Sequence, residues 1–256
     1  MSKVLVQLCL ILIASLLFNC NHKNETKHWS YSGESSPEHW AEIAKKGFCD
    51  GKHQSPVNII KTNTVQTDSN SRHLKLFYAP ETKMSKVENN GHSIQFDFEK
   101  GDSIEYKDQI YQLVQLHFHE PSEHTINGLR YPIELHFVHY NNQIARFTVL
   151  SVLGIEGKES HCFEFFKHFL PIKNGETKEV EMSHDLNSLF PSSKNYFSYS
   201  GSLTTPPCTE NVNWLIFEEA IELSEDEVIA FKENMPLDNY RDQQALNERK
   251  VQYIIN

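Results

Sequence analysis

Basic residues are scarce in this 256-residue chain: 24 Lys and Arg stand against 34 Asp and Glu, for a formal net charge of −10. That deficit excludes charge-driven binding to nucleic acid or to an anionic membrane surface. Long apolar runs are missing as well. The main one, Val4–Phe18, follows Lys3 and has the charge and length of a secretory leader, too short to favour a membrane span. No Gly/Ser/Pro linker, internal repeat or low-complexity tract interrupts the remainder, which argues for one domain with ample length to bury a large core. Cysteine is sparse, with five in all.

The leader covers residues 1–19. It ends at Leu17-Phe-Asn-Cys20, a stretch similar to a bacterial lipobox, in which the cysteine is lipidated and becomes the new N-terminus. Residues 20–27 are polar and suit a tether, and residues 28–256 form the domain. The expectation is an exported protein, periplasmic or on the cell surface. A lipid on Cys20 is its only route to a membrane, and plain cleavage and release is the alternative. The sequence specifies no oligomeric state.

Beyond Cys9 in the leader and Cys20, three cysteines remain: Cys49, Cys162 and Cys208. One pair can bridge and one thiol stays odd. Cys49 and Cys208 both look loop-borne. Cys162 falls in a helical pattern with Phe163, Phe166 and Leu170 on one face, which suits a buried thiol.

Strand-like runs recur at Leu74–Tyr78, Ser93–Phe98, Ser103–Tyr106, Gln109–Phe118, Ile133–Tyr140, Ile144–Leu153 and Val212–Phe217. Turn chemistry separates them at Asn89-Asn-Gly91, Lys100-Gly-Asp102, Asn127-Gly128 and Asn141-Asn142. Helices are few: Ser160–Leu170, and a second one opened by Ser224 and Glu227 as a capping box. The predicted fold is mixed but predominantly β, a single domain with a large, mainly antiparallel twisted sheet and short peripheral helices.

Two of these strands carry the chemistry. Side chains two apart on a strand share a face, so Gln115, His117 and His119 point one way, and Glu134, His136 and Val138 do the same on the second run. If the strands are neighbours, three imidazoles meet. Three neutral nitrogen donors with an open fourth position describe a catalytic Zn²⁺ site. A lone His-x-His is more often structural. The third histidine shifts the balance, as do Gln115 and Glu134, each placed to accept the other ring N–H of a ligand.

Other loops look chemical too: Asn89-Asn-Gly-His92, Pro121-Ser-Glu-His124 and Ser202-Leu-Thr-Thr-Pro-Pro207. Taken with His117, His119 and His136, the sequence resembles the α-class carbonic anhydrases. The resemblance also covers His28-Trp-Ser-Tyr31, Pro37-Glu-His-Trp40, Gln54-Ser-Pro-Val-Asn58 and Asn239-Tyr-Arg-Asp-Gln-Gln244 with Asn247 and Arg249. These matches run in chain order from His28 to Arg249.

The resemblance implies reversible hydration of carbon dioxide to bicarbonate and a proton, by attack of zinc-bound hydroxide, with an esterase side activity open to it. It makes His117, His119 and His136 the zinc ligands, and Glu123 with Thr204 the pair that orients the nucleophile. Thr205 becomes a second hydroxyl for substrate. Val138, Val149, Leu203, Val212 and Trp214 become the apolar wall for carbon dioxide. His92 becomes the proton shuttle, with Tyr31, Asn89 and Gln95 along the water path. Cys49 and Cys208 become a disulfide, as in secreted members. Departures from the family pattern occur at Gln95, Glu120, Tyr240, Asp242 and Ala245, none of them on a proposed ligand.

Two other readings compete. One is a catalytically inactive anhydrase-like surface binding protein, which would be expected to lose a zinc histidine or block its pocket. The other is a three-histidine iron or copper oxygenase, which leaves the Thr-Thr-Pro-Pro loop unexplained.

Overall fold

The computed structural model describes residues 28–67 and 74–256; the leader, Cys20 and the tether lie outside the described residues. In chain order the described strands are β1 (Asn58–Ile59), β2 (Val65–Thr67), β3 (Lys75–Phe77), β4 (Thr82–Asn89), β5 (Ile94–Phe98), β6 (Ser103–Tyr106), β7 (Gln109–His119) and β8 (Thr125–Ile126). They continue as β9 (Leu129–Arg130), β10 (Ile133–Asn141), β11 (Arg146–Glu156), β12 (Thr177–His184), β13 (Tyr196–Ser202), β14 (Glu210–Phe217), β15 (Ile221–Leu223) and β16 (Gln252–Ile254).

Thirteen of the strands form one sheet along the path β12-β4-β5-β7-β10-β11-β14-β13-β16-β2, with β3, β6 and β15 attached to it. Most pairs are antiparallel; β11 with β14, β11 with β15, and β16 with β2 are parallel. The mixed, mainly antiparallel sheet agrees with the sequence.

The middle of that sheet explains the site. β10 lies between β7 and β11 and is buried along almost its whole length. Its alternation sends Leu135 and Phe137 into the larger core with Leu116, Phe118, Leu150 and Val152. Val138 goes into a second cluster on the opposite face with Val149, Val212 and Trp214. Each fully buried apolar side chain of this size contributes roughly 2 kcal/mol. That two-sided burial fixes register, because a one-residue slip would drive the histidines into the apolar core.

The helices close the apolar face. In His161–Lys167 the Ser160 hydroxyl accepts from Phe163 N, and Cys162 is buried as a free thiol. Glu225–Lys232 carries the expected capping box of Ser224 and Glu227. Phe163, Phe166 and Phe231 pack around Phe118, directly behind the strand that carries His117 and His119.

Sequence periodicity does not flag the longer strands β4, β12 and β13, nor the short β1, β2, β8, β9, β15 and β16. β4 and β12 are mostly charged and polar, with only Met84 and Val87 in the first and Val180 and Met182 in the second as apolar residues. β13 reads Tyr-Phe-Ser-Tyr-Ser-Gly-Ser, and most of its serines are nevertheless buried.

Candidate metal centre

The register between β7 and β10 places His136 opposite His117 and Glu134 opposite His119. One ring nitrogen from each of His117, His119 and His136 comes within 4.8 Å of the others. The remaining nitrogen of each ring meets an acceptor. His117 Nδ1 lies 2.8 Å from Gln115 Oε1, His119 Nδ1 lies 2.6 Å from the Asn239 carbonyl, and His136 Nε2 lies 2.8 Å from Glu134 Oε1. Carbonyls and carboxylates only accept, so each of these nitrogens carries the proton. The bare lone pairs left over are His117 Nε2, His119 Nε2 and His136 Nδ1. His119 Nε2 is buried with no hydrogen-bond partner. An orphaned buried acceptor among three neutral imidazoles fits a divalent cation, and zinc suits this donor set.

Burial lowers the pKa of all three rings, His119 to about 4. For His117 the neighbouring rings add to the effect. Neutral imidazole is the ligating form.

Glu134 is wholly buried and accepts four hydrogen bonds: from His136 Nε2, His124 Nδ1, the His124 backbone N–H and the Ser151 hydroxyl. Burial pushes its carboxyl up, but His124 and His136 outweigh that and hold it well below the usual range. His124, Glu134 and His136 also have metal-ligand spacing. Their facing atoms already bond one another, so this second group is a hydrogen-bond network.

Glu123 is buried directly beside the rings. Its Oε1 accepts the Arg241 N–H at 3.0 Å, and its Oε2 lies 3.5 Å from His119 Nε2. Burial raises its pKa and nearby Glu134 adds to that, while the His136 ring, the Thr204 hydroxyl and the Arg241 N–H partly offset it. Thr204 is buried, while Thr205 is partly exposed on the same loop. The loop is anchored at its far end. The Cys208 N–H donates to Thr205 O at 2.8 Å, and Cys208 is bonded to Cys49, with Cα atoms 4.9 Å apart. A side chain at Gly201 would strike Ser55 and the Trp214 ring, so glycine is what lets the loop's first residues run this close.

Val138, Val149, Val212 and Trp214 belong to one buried cluster with Leu203 packed against it. The Trp214 ring sits 4.9 Å from the His136 ring, so this wall abuts the three-histidine centre.

His92 is half-buried and stacks on Trp29 at 3.5 Å between ring centroids, with His28 at 5.1 Å. Burial, then His28, push its pKa down to about 4. The Tyr31 ring is 6.2 Å away, and burial followed by the Glu123 charge raises its phenol well above 10. Gln95 lies beside His117 in the sheet, but its amide donates to Asp97 at 2.6 Å. Asn89 does not join this group. Its side chain is buried, donating to Ile172 O and Asn234 O and accepting from Gly91 N, so it braces the turn from behind instead of lining a water path. The physical reason is the edge of β4, whose last side chain turns toward the helical side. His139 points off the site: its Nε2 lies 2.7 Å from the Tyr78 hydroxyl, and burial drives its pKa to about 3.

Sequence reasoning assigned no role to His28, His124, Asn239 or Arg241. The first two lie inside the quoted motifs His28-Trp-Ser-Tyr31 and Pro121-Ser-Glu-His124. Asn239 and Arg241 lie in the quoted C-terminal run Asn239-Tyr-Arg-Asp-Gln-Gln244, whose place in the resemblance was the available signal.

The family model for eukaryotic-type carbonic anhydrase matches residues 35–255. The chain is 36% identical to a carbonic anhydrase of Neisseria gonorrhoeae over 94% of its length and 95% of the relative's. It is 32% identical to one from Pectobacterium carotovorum over 96% and 98%. Among solved structures it is similar to the α-carbonic anhydrase of Thermovibrio ammonificans in complex with the inhibitor sulfanilamide, with a TM-score of 0.83 and 37% identity over 88% of this chain and 98% of that one. A hyperthermostable carbonic anhydrase from a hydrothermal vent chimney gives 0.81 and 38% over 89% and 100%. Matched across the domain in both sequence and fold, the chain belongs to the eukaryotic-type, or α, carbonic anhydrase family and is an enzyme of that kind.

Proposed function

We propose that this protein hydrates carbon dioxide reversibly at a zinc ion held by His117 Nε2, His119 Nε2 and His136 Nδ1. The observation that carries the reading is the set of three bare ring nitrogens facing one another, each fixed by an acceptor behind it. When bound, zinc supplies the acidity that makes hydroxide available from a coordinated water, with a pKa of about 7 that is established for carbonic anhydrases as a class.

The chain's own residues do the rest. Glu123, ionised, accepts only, so the Thr204 hydroxyl spends its proton on it and presents its oxygen as an acceptor toward the metal side. That selects one orientation for a donor bound there. Val138, Val149, Leu203, Val212 and Trp214 offer carbon dioxide an apolar wall that excludes competing water, and Thr205 offers a second hydroxyl to substrate. Val138 is small enough to leave that wall open, which disfavours an inactive binding protein. His92, reached past Tyr31 and Gln95, accepts the departing proton and passes it to buffer.

We also infer export through the leader 1–19, to the periplasm or cell surface, with Cys20 as the site of any lipid. The Cys49–Cys208 bridge supports an oxidising compartment.

Stopped-flow carbon dioxide hydration on zinc-quantified mature protein tests the reading. Activity proportional to zinc content is expected. Zinc-replete protein without activity overturns it.

A further inference from the structure

We propose that the side chain of Asn239 is a positioning residue for His92, tying the turn that carries it to the end of the metal-binding strand. The inference rests on the reading of His92 as the proton-exit group.

Asn239 is fully buried. Its Nδ2 donates to His92 O and to Phe118 O, both at 3.0 Å, and its Oδ1 accepts from Glu120 N at 2.8 Å. Its backbone carbonyl faces His119 Nδ1 at 2.6 Å. One residue therefore grips the end of β7 at Phe118 and His119, with Glu120 just beyond it, and holds the His92 turn with the same amide.

The other ties of that turn act differently. Asn90 Oδ1 accepts from the N–H groups of His92 and Ser93, both at 2.9 Å, which shapes the turn from within. Asn89 braces it toward Ile172 and Asn234, away from the metal centre. Ser93 Oγ also donates to Phe118 O, so that carbonyl keeps a partner if Asn239 is lost. His92 O does not: among the described residues only Asn239 donates to it.

The stack on Trp29 sets where the His92 ring lies, but the ring can sit there only if its backbone is held in place. Proton transfer along a short water path is sensitive to such placement, and a shift of about 1 Å can cost up to ~100-fold in rate.

The test compares Asn239→Ala with wild type and with His92→Ala, by two readouts. The first is amide hydrogen exchange across residues 90–93 in the zinc-loaded protein, expected to accelerate about 10-fold or more in Asn239→Ala. The second is hydration in weak buffer, where kcat is expected to fall several-fold more than kcat/KM and to recover with added imidazole. Unchanged exchange, or a loss of kcat that imidazole does not relieve, overturns the inference. The two readings separate cleanly. If His92→Ala itself shows no buffer dependence, the shuttle reading fails. If His92→Ala is impaired while Asn239→Ala exchanges like wild type, only the role of Asn239 fails. Should Asn239→Ala not fold, Asn239→Asp keeps the volume, sets an acceptor against His92 O and carries the same two readouts.

Discussion

Glu134 Oε1 accepts the Nε2 proton of His136 at 2.8 Å, and that bond decides which nitrogen of His136 is left bare toward His117 and His119. His117 and His119 present Nε2; His136, turned by Glu134, presents Nδ1. Such partners typically contribute 10–100-fold to metal affinity, so Glu134→Gln is expected to weaken zinc binding by about 10-fold. His136→Ala is expected to abolish both zinc and hydration. Competition against a chelator measures the first and stopped-flow the second; full activity without His136 would sink the site.

In the proposed mechanism Thr204 and Glu123 orient the nucleophile without binding the metal. Thr204→Ala is therefore expected to lower kcat/KM about 100-fold with zinc content unchanged. A variant that keeps wild-type kcat/KM would remove the orienting role.

Burial, to which the stack on Trp29 contributes, and then the nearness of His28 push the pKa of His92 down to about 4. A ring held that low is neutral at pH 7 but a weak acceptor for a proton leaving a water of pKa about 7; swung out of the stack into solvent, it would return toward its ordinary value of about 6.5 and accept that proton more readily. Trp29→Ala is expected to raise the value, read from the ring Cε1 proton by NMR. A downward shift, or none, contradicts this. His92→Ala is expected to slow turnover in weak buffer and to be rescued by imidazole.

Acid should destabilise the fold partly through His139. Its folded pKa of about 3 lies below the unfolded value near 6.5, so the unfolded chain binds the extra proton. The stabilising contribution is fully present above pH 6.5 and is lost as pH falls toward 3, at up to about 1.4 kcal/mol per pH unit. Urea midpoints between pH 7 and 4 are expected to fall less steeply in His139→Gln than in wild type. Identical slopes would exclude His139 as a cause.

The Cys49–Cys208 bridge spans 159 residues, and closing a loop of that length stabilises by up to about 5 kcal/mol in the chain-entropy estimate. Reduction is expected to lower the denaturant midpoint clearly while leaving Cys162 unmodified in the native state. Two free thiols at Cys49 and Cys208 in non-reduced mass spectrometry would end the claim.

Much of the candidate metal centre was legible in advance because strand period is a local property. His117, His119, Gln115 and Glu134 share faces by counting residues, and the structure brings them together as counted. The misreadings arose where spacing says little. Asn89 ends a charged strand with no apolar period to orient it, and the buried serines of β13 look like a loop until β14 and β16 cover them.

By itself the sequence determined the donor types, their faces and the family, because these follow from alternation and motif order along the chain. Only the tertiary structure decided which carbonyl fixes His119, which backbone N–H meets Glu123 and what holds His92. Asn239 and Arg241 stand 120 and 118 residues away from the groups they serve. Their backbone atoms have no side-chain identity to read, and contacts over that distance exist only once the core has packed and brought the C-terminal segment across the end of β7.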